Sequence, residues 1–167
     1  MLAAQVGAPE IVALLLKSGA DPAATMKSNG STALLTAAGN GHVEVVALLL
    51  SNGAPVDAWT AQGTALHFAA QFGFVEVMDL LLQAGANPNA QSASGVSPLL
   101  TAVQGGHQEG VRLLLQRGAN PDLQEGHHRA SALMAAALQG LGEIAGLLLE
   151  HGADPTLTHV HERKDCQ

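Results

Sequence analysis

A leucine triplet recurs five times along this chain: Leu14-Leu15-Leu16, Leu48-Leu49-Leu50, Leu80-Leu81-Leu82, Leu113-Leu114-Leu115 and Leu147-Leu148-Leu149. Successive triplets are 34, 32, 33 and 34 residues apart. Three residues after each comes a glycine followed by alanine, at Gly19, Gly53, Gly85, Gly118 and Gly152. Seven residues before each stands another glycine, at Gly7, Gly41, Gly73, Gly106 and Gly140. Nine residues before that second glycine lies a small hydroxyl residue, at Thr32, Thr64, Ser97 and Ser131; the first copy starts too late to have one. A multi-point pattern held in register at this period describes an array of one structural unit.

Each landmark has a physical role. Thr32, Thr64, Ser97 and Ser131 stand where a helix should begin, because a hydroxyl there accepts an orphan backbone N–H. Pro98 suits the first turn that follows. The helix runs about two turns to a glycine, whose left-handed conformation ends it. A second helix then begins with Glu10, Glu44, Glu76, Glu109 or Glu143, where a carboxylate meets the positive end of the helix dipole. This electrostatic role is preferred to catalysis for the five glutamates. The second helix closes with the leucine triplet and another glycine. Isolated helices shorter than about 12–15 residues are marginal in water. These helices must therefore bury their apolar faces on neighbouring copies, as a solenoid does.

Composition narrows the function. The chain is 47% hydrophobic but only 2% aromatic, so Ala, Leu and Gly build its core. Seven Lys and Arg against fourteen Asp and Glu give a formal charge of −7. Residues 1–111 hold only Lys17 and Lys27 as basic side chains. That disfavours nucleic acid, whose binding rests on neutralised phosphates, and an anionic membrane surface. The excess of acid hints at a basic or amphipathic partner segment. Cys166 is the only cysteine, which precludes an internal disulfide and suits a reducing compartment. No apolar run approaches the roughly 20 residues of a membrane span. A charged segment followed by a signal-like apolar run is missing at the N-terminus. The expectation is an intracellular protein, cytoplasmic or nuclear.

Thr64-Ala65-Leu66-His67-Phe68-Ala69-Ala70, Gly73, Leu80-Leu81-Leu82 and Gly85-Ala86-Asn87-Pro88-Asn89-Ala90 together resemble the ankyrin repeat. The resemblance covers residues 2 to about 155. It implies an all-α solenoid of antiparallel helix pairs joined by β-turn fingers, with a concave face that binds other proteins. The expected organisation is one array over 1–155, with repeats near 1–24, 25–58, 59–90, 91–123 and 124–155, the first incomplete. Residues 156–167 depart from the pattern and read as a cap or flexible tail. The family's TPLH histidine survives only as His67, with Leu35, Leu100 and Met134 in its place elsewhere. The histidine after the mid-repeat glycine is kept as His42 and His107, which are given a structural role.

Family contacts concentrate on finger tips and on the end of the first helix. Carried onto this chain, the helix-end positions include Gln5, Val6, Gly39, Asn40, Gln71, Phe72, Gln104, Gly105, Leu138 and Gln139. Finger positions include Asn29, Ser31, Trp59, Thr60, Ser94, Val96, His127 and His128. Trp59 and Phe72 are of the aromatic type favoured as anchors. Trp59 could instead fold back on its own finger or the next, since tryptophan is often partly buried. Phe68 sits in the inner register and is assigned to the core. Gly110 occupies the slot of Ile11, Val45, Val77 and Ile144, which makes the fourth repeat the softest internal one: glycine inside a helix costs about 1 kcal/mol relative to alanine.

The remaining candidates are weaker. His127-His128, His159, His161 and Cys166 do not match the rigid spacing of a zinc site, so no metal or other cofactor is expected. There is no GxSxG, P-loop or HExxH motif, and no catalytic residue is assigned. Asn89 matches the finger asparagine that asparaginyl hydroxylases modify in ankyrin proteins, although a hydrogen-bonding turn role is preferred. The chain is read as a non-enzymatic, monomeric scaffold, adaptor or inhibitor that binds another protein. The alternative is a regulatory or targeting fragment of a larger multidomain protein or enzyme.

Overall fold

The computed structural model describes residues 1–125 and 129–157. Ten helices follow one another in these residues: α1 (Leu2–Gln5), α2 (Pro9–Lys17), α3 (Ala33–Gly39), α4 (Val43–Ser51), α5 (Ala65–Phe72), α6 (Val75–Gln83), α7 (Pro98–Gln104), α8 (Gln108–Gln116), α9 (Ala132–Leu138) and α10 (Gly142–Glu150). The odd-numbered helices stack on one another as an inner row, and the even-numbered ones as an outer row. The described residues contain no regular strand. Fingers between the pairs carry single antiparallel bridges, Thr25 with Thr32 and Thr60 with Gly63.

The hydroxyl landmarks cap the inner helices. Thr32, Ser97 and Ser131 accept the backbone N–H of Leu35, Leu100 and Met134 at 3.2, 3.2 and 3.4 Å. All ten landmark glycines adopt positive φ, the conformation that stops a helix without a Cβ penalty. The five glutamates fall in the first turn of the outer helices.

Burial follows the register and comes from the neighbour. Val45, Val77 and Ile144 are at most 3% exposed, and so are Leu49, Leu81, Leu114 and Leu148. In the first repeat the equivalent Ile11 and Leu15 are 53% and 46% exposed. The same side chain in the same helix position is thus covered only where another repeat lies against it.

The fingers are tied across repeats by a ladder in which a side-chain oxygen of one finger accepts a backbone N–H of the next. Asp57 accepts the backbone N–H of Asn87, and Asp122 accepts that of Asp154. Asn89 accepts the N–H of Asn120 at 2.7 Å and donates from its amide to the Gly118 carbonyl at 3.2 Å. Between the first and second repeats the equivalent residues are Ala23, which has no acceptor, and Pro55, which has no N–H. Both partners are absent together, so neither leaves an unpaired group behind.

The space beside Gly110 is occupied. A Cβ built there would lie 3.3 Å from Cε of Met78 and 3.4 Å from its sulfur. Met78, fully buried, is the bulkiest of its slot, where the other repeats have Val12, Val46, Val111 and Ala145. A long flexible side chain on α6 therefore fills what a missing one on α8 leaves, while the helical cost of the glycine remains.

This pairing predicts energetic coupling. Met78→Val opens a gap and Gly110→Val overpacks against Met78, so each single change should be destabilising. In the double variant the bulk is exchanged. Its loss of stability in urea melts should fall short of the summed single losses by about 1 kcal/mol. Strict additivity would contradict the pairing.

Candidate functional site: a groove between inner helices and fingers

Two adjoining depressions line the inner face. The first, of about 380 Å3, lies between the second and third repeats. Its floor is Leu35, Thr36, Gly39 and Phe68, and its walls include Asn29, Asn40, Thr60, Gln62 and Phe72. The second, of about 560 Å3, lies between the third and fourth repeats and is bordered by Gln62, Gln71, Ser94, Thr101 and Gln104. Gln62 is shared, so the two form one groove along three repeats.

The site residues expected from sequence fall into three groups. Asn29, Asn40, Thr60 and Phe72 meet in the first depression, and Gln71, Ser94 and Gln104 in the second. Thr60 is buried, and its hydroxyl donates to the Gly63 carbonyl at 3.1 Å. Asn29 accepts from the Ser31 N–H, and Asn40 donates to the Thr36 carbonyl. Trp59 and Leu138 line neither depression. Trp59 is 56% exposed and donates from Nε1 to the Gln91 carbonyl at 3.3 Å, so its indole reaches the next finger. Leu138, at the end of α9, is 80% exposed. His127 and His128, like His159, His161 and Cys166, lie outside the described residues. Asn89 is half-buried, with both ends of its amide engaged in the finger ladder.

Phe72 is the largest exposed side chain in the groove. It is half-exposed and leans on Phe74, with ring centroids 5.8 Å apart. Phe74 in turn packs over Gly41 of the preceding repeat. His42 and His107 occupy the position of Phe74 in their own repeats. They donate from Nε2 to the carbonyls of Gln5 and Gln71 at 2.9 Å, satisfying inner-helix ends that have no intrahelical partner. The His107 ring lies so close over Gly73 that a Cβ there would come within 2.6 Å of it. Phe68, assigned to the core, is half-buried: it packs against Gly39 and also contributes to the groove floor.

His67 fixes the finger that forms one wall. It is 3% exposed. Its Nδ1 accepts the Thr64 N–H at 3.1 Å, which places the proton on Nε2, and Nε2 donates to the Val96 carbonyl at 3.0 Å. One ring thereby caps its own helix and holds the next finger. Gly63 makes room for it, at φ +117° and with a Cβ position 2.6 Å from the ring. No motif in the sequence marks this Gly63–His67 pair, nor Gln62, whose place in both depressions depends on how the third finger turns.

The charge is segregated. No inner helix contains Asp, Glu, Lys or Arg. None lines either depression. The outer helices carry Glu10, Glu44, Glu76, Asp79, Glu109, Glu143 and Glu150. Asp57 and Asp122 are used in the finger ladder. The net charge of −7 therefore does not describe the groove.

Stacked helix pairs with a groove between one helix row and a row of fingers define a helical repeat protein. A family model described as ankyrin repeats (3 copies) matches residues 1–92 and 76–159, and the chain belongs to the ankyrin-repeat family. No curated protein sequence matches it. Ankyrin repeats are in general protein–protein interaction modules and typically non-enzymatic. Among the described residues no helix is long and apolar enough to cross a membrane.

Burial pushes the His67 pKa below the ordinary value of 6.5, against smaller opposing effects from its carbonyl contacts and Asp57. A lowered histidine pKa means that the unfolded chain takes up the proton first, so its contribution is complete above pH 6.5 and is lost as pH falls below that value. At pH 7.5 His67→Leu should be less stable by about 1–3 kcal/mol, from the lost hydrogen bonds. That gap should narrow as the pH falls below 6.5, because the leucine has no proton to gain. A gap that stays constant down to pH 5 would contradict a buried neutral imidazole.

Proposed function

We propose that this chain is a non-catalytic binding module that holds a protein partner in the groove between its inner helices and fingers, as a scaffold, adaptor or inhibitor. The observation that carries the reading is Phe72: a half-exposed aromatic side chain, backed by Phe74, at the edge of a depression that no described residue fills. Aromatic anchors beside such pockets dominate many interfaces. Asn29, Asn40, Thr60, Gln71, Ser94 and Gln104 surround it and shape the contact, with Trp59 and Leu138 as outlying candidates and His127 and His128 as further candidates from the sequence alone. The module acts as a monomer inside the cell, without a cofactor.

The test is capture from lysate by the parent chain, by Phe72→Ala and by Trp59→Ala, each checked for an unchanged melting temperature. A groove-bound partner should be lost with Phe72→Ala, by tenfold or more in affinity on the scale of an anchor residue. Trp59→Ala should weaken it less, since that indole rests on the neighbouring finger. Retention of the same partners by Phe72→Ala would place binding on another surface.

A further inference from the structure

The groove's chemistry says what kind of segment it suits. We infer that its ligand is an extended, uncharged stretch of polypeptide, held along its backbone by the side-chain amides of Gln62, Gln71 and Gln104 and anchored by one apolar side chain between Phe68 and Phe72. This rests on the proposed function and specifies the partner of that same groove.

Charge is the first argument. The depressions and all five inner helices have no ionised side chain. The third and fourth fingers, which form the walls, have none at residues 59–64 and 91–97 either. The charges between the helix pairs among the described residues, which include Asp57 and Asp122 of the finger ladder as well as Lys27, Glu125 and Arg129, all stand outside both depressions. A charged segment laid in this groove would give up water without meeting an opposite charge, which disfavours it strongly.

Hydrogen-bonding capacity is the second. A glutamine amide offers both a donor and an acceptor, the same pair that a peptide backbone presents. Gln62, Gln71 and Gln104 are exposed, and among the described residues their side-chain amides have no hydrogen-bond partner. The Gln71 carbonyl is already taken by His107, which leaves the side chain as that residue's free polar group.

Spacing is the third. Gln71 and Gln104 hold the same register in α5 and α7, which pack side by side. Packed helices lie about 8–10 Å apart, and an extended chain advances about 3.3 Å per residue. One amide therefore meets the ligand at about every third residue. The apolar anchor falls at the Phe72 end, where the depression of about 380 Å3 has room for a Leu, Met or Phe side chain.

The experiment is selection of displayed random peptides, each about ten residues long, on the full chain. Selected sequences are then measured as end-blocked synthetic peptides by fluorescence polarisation. The expected winners have no charged residue through their middle and contain one large apolar residue. Their affinity should change less than about twofold between roughly 0.05 and 0.5 M salt, since no ion pair is there to be screened. Gln71→Ala and Gln104→Ala should each weaken binding about fivefold at unchanged melting temperature, on the scale of one hydrogen bond. Winners that share basic or acidic residues and bind in a salt-dependent way would overturn the inference. So would a lysate partner held through Phe72 when no peptide is selected, because that ligand would be a folded surface; the proposed function would still stand. Capture insensitive to Phe72→Ala would instead remove the proposed function itself.

Discussion

Everything in this molecule depends on one contact, the apolar face that each helix pair lays on the next. Helices of seven to nine residues do not persist alone in water. The contrast between Leu15, nearly half exposed, and Leu49, Leu81, Leu114 and Leu148, all buried, shows where their stability comes from. Small residues make the contact close: Ala37, Ala38, Ala69, Ala70, Ala102 and Ala136 are fully buried in the inner row. Local exceptions are met by the adjacent repeat, as when Met78 reaches over Gly110 or the His107 ring settles on Gly73.

That contact also determines what is left uncovered. The inner helices spend their apolar positions on stacking, and their final turns, at Asn40, Gln71, Phe72 and Gln104, remain open toward the fingers. The outer helices take the charge, where carboxylates favour helix starts and keep the array hydrated. The result is an uncharged groove on an acidic protein. His67 links the two levels: it caps α5 and grips the fourth finger, so the groove wall is fixed by the same side chain that starts the helix.

The helix boundaries could be read from the sequence because they rest on local chemistry. A hydroxyl cap and a positive-φ glycine act within three or four residues of themselves, and repetition made them conspicuous. The groove positions came with the family resemblance, which implies contacts at finger tips and first-helix ends, and seven of those expected residues line the two depressions. What could not be read depends on contacts between repeats. The direction of Trp59 is decided by a carbonyl 32 residues away. The finger ladder pairs Asp57 with Asn87 and omits Ala23 with Pro55, a match visible only once the repeats are stacked. The segregation of charge was within reach, since the first helix of every repeat lacks ionised residues, but the sum over the whole chain concealed it.

The proposed binding face lies between the inner helices and the fingers. The most direct measurement is a titration of the isotope-labelled chain with its captured partner, followed by backbone amide NMR. For a partner seated in the groove, the largest shifts should cluster at Gly39, Asn40, Gln71, Phe72, Gln104 and Gly105, with little change at Glu44, Glu76 and Glu109. Shifts concentrated on those outer-helix glutamates, with the groove amides undisturbed, would contradict it.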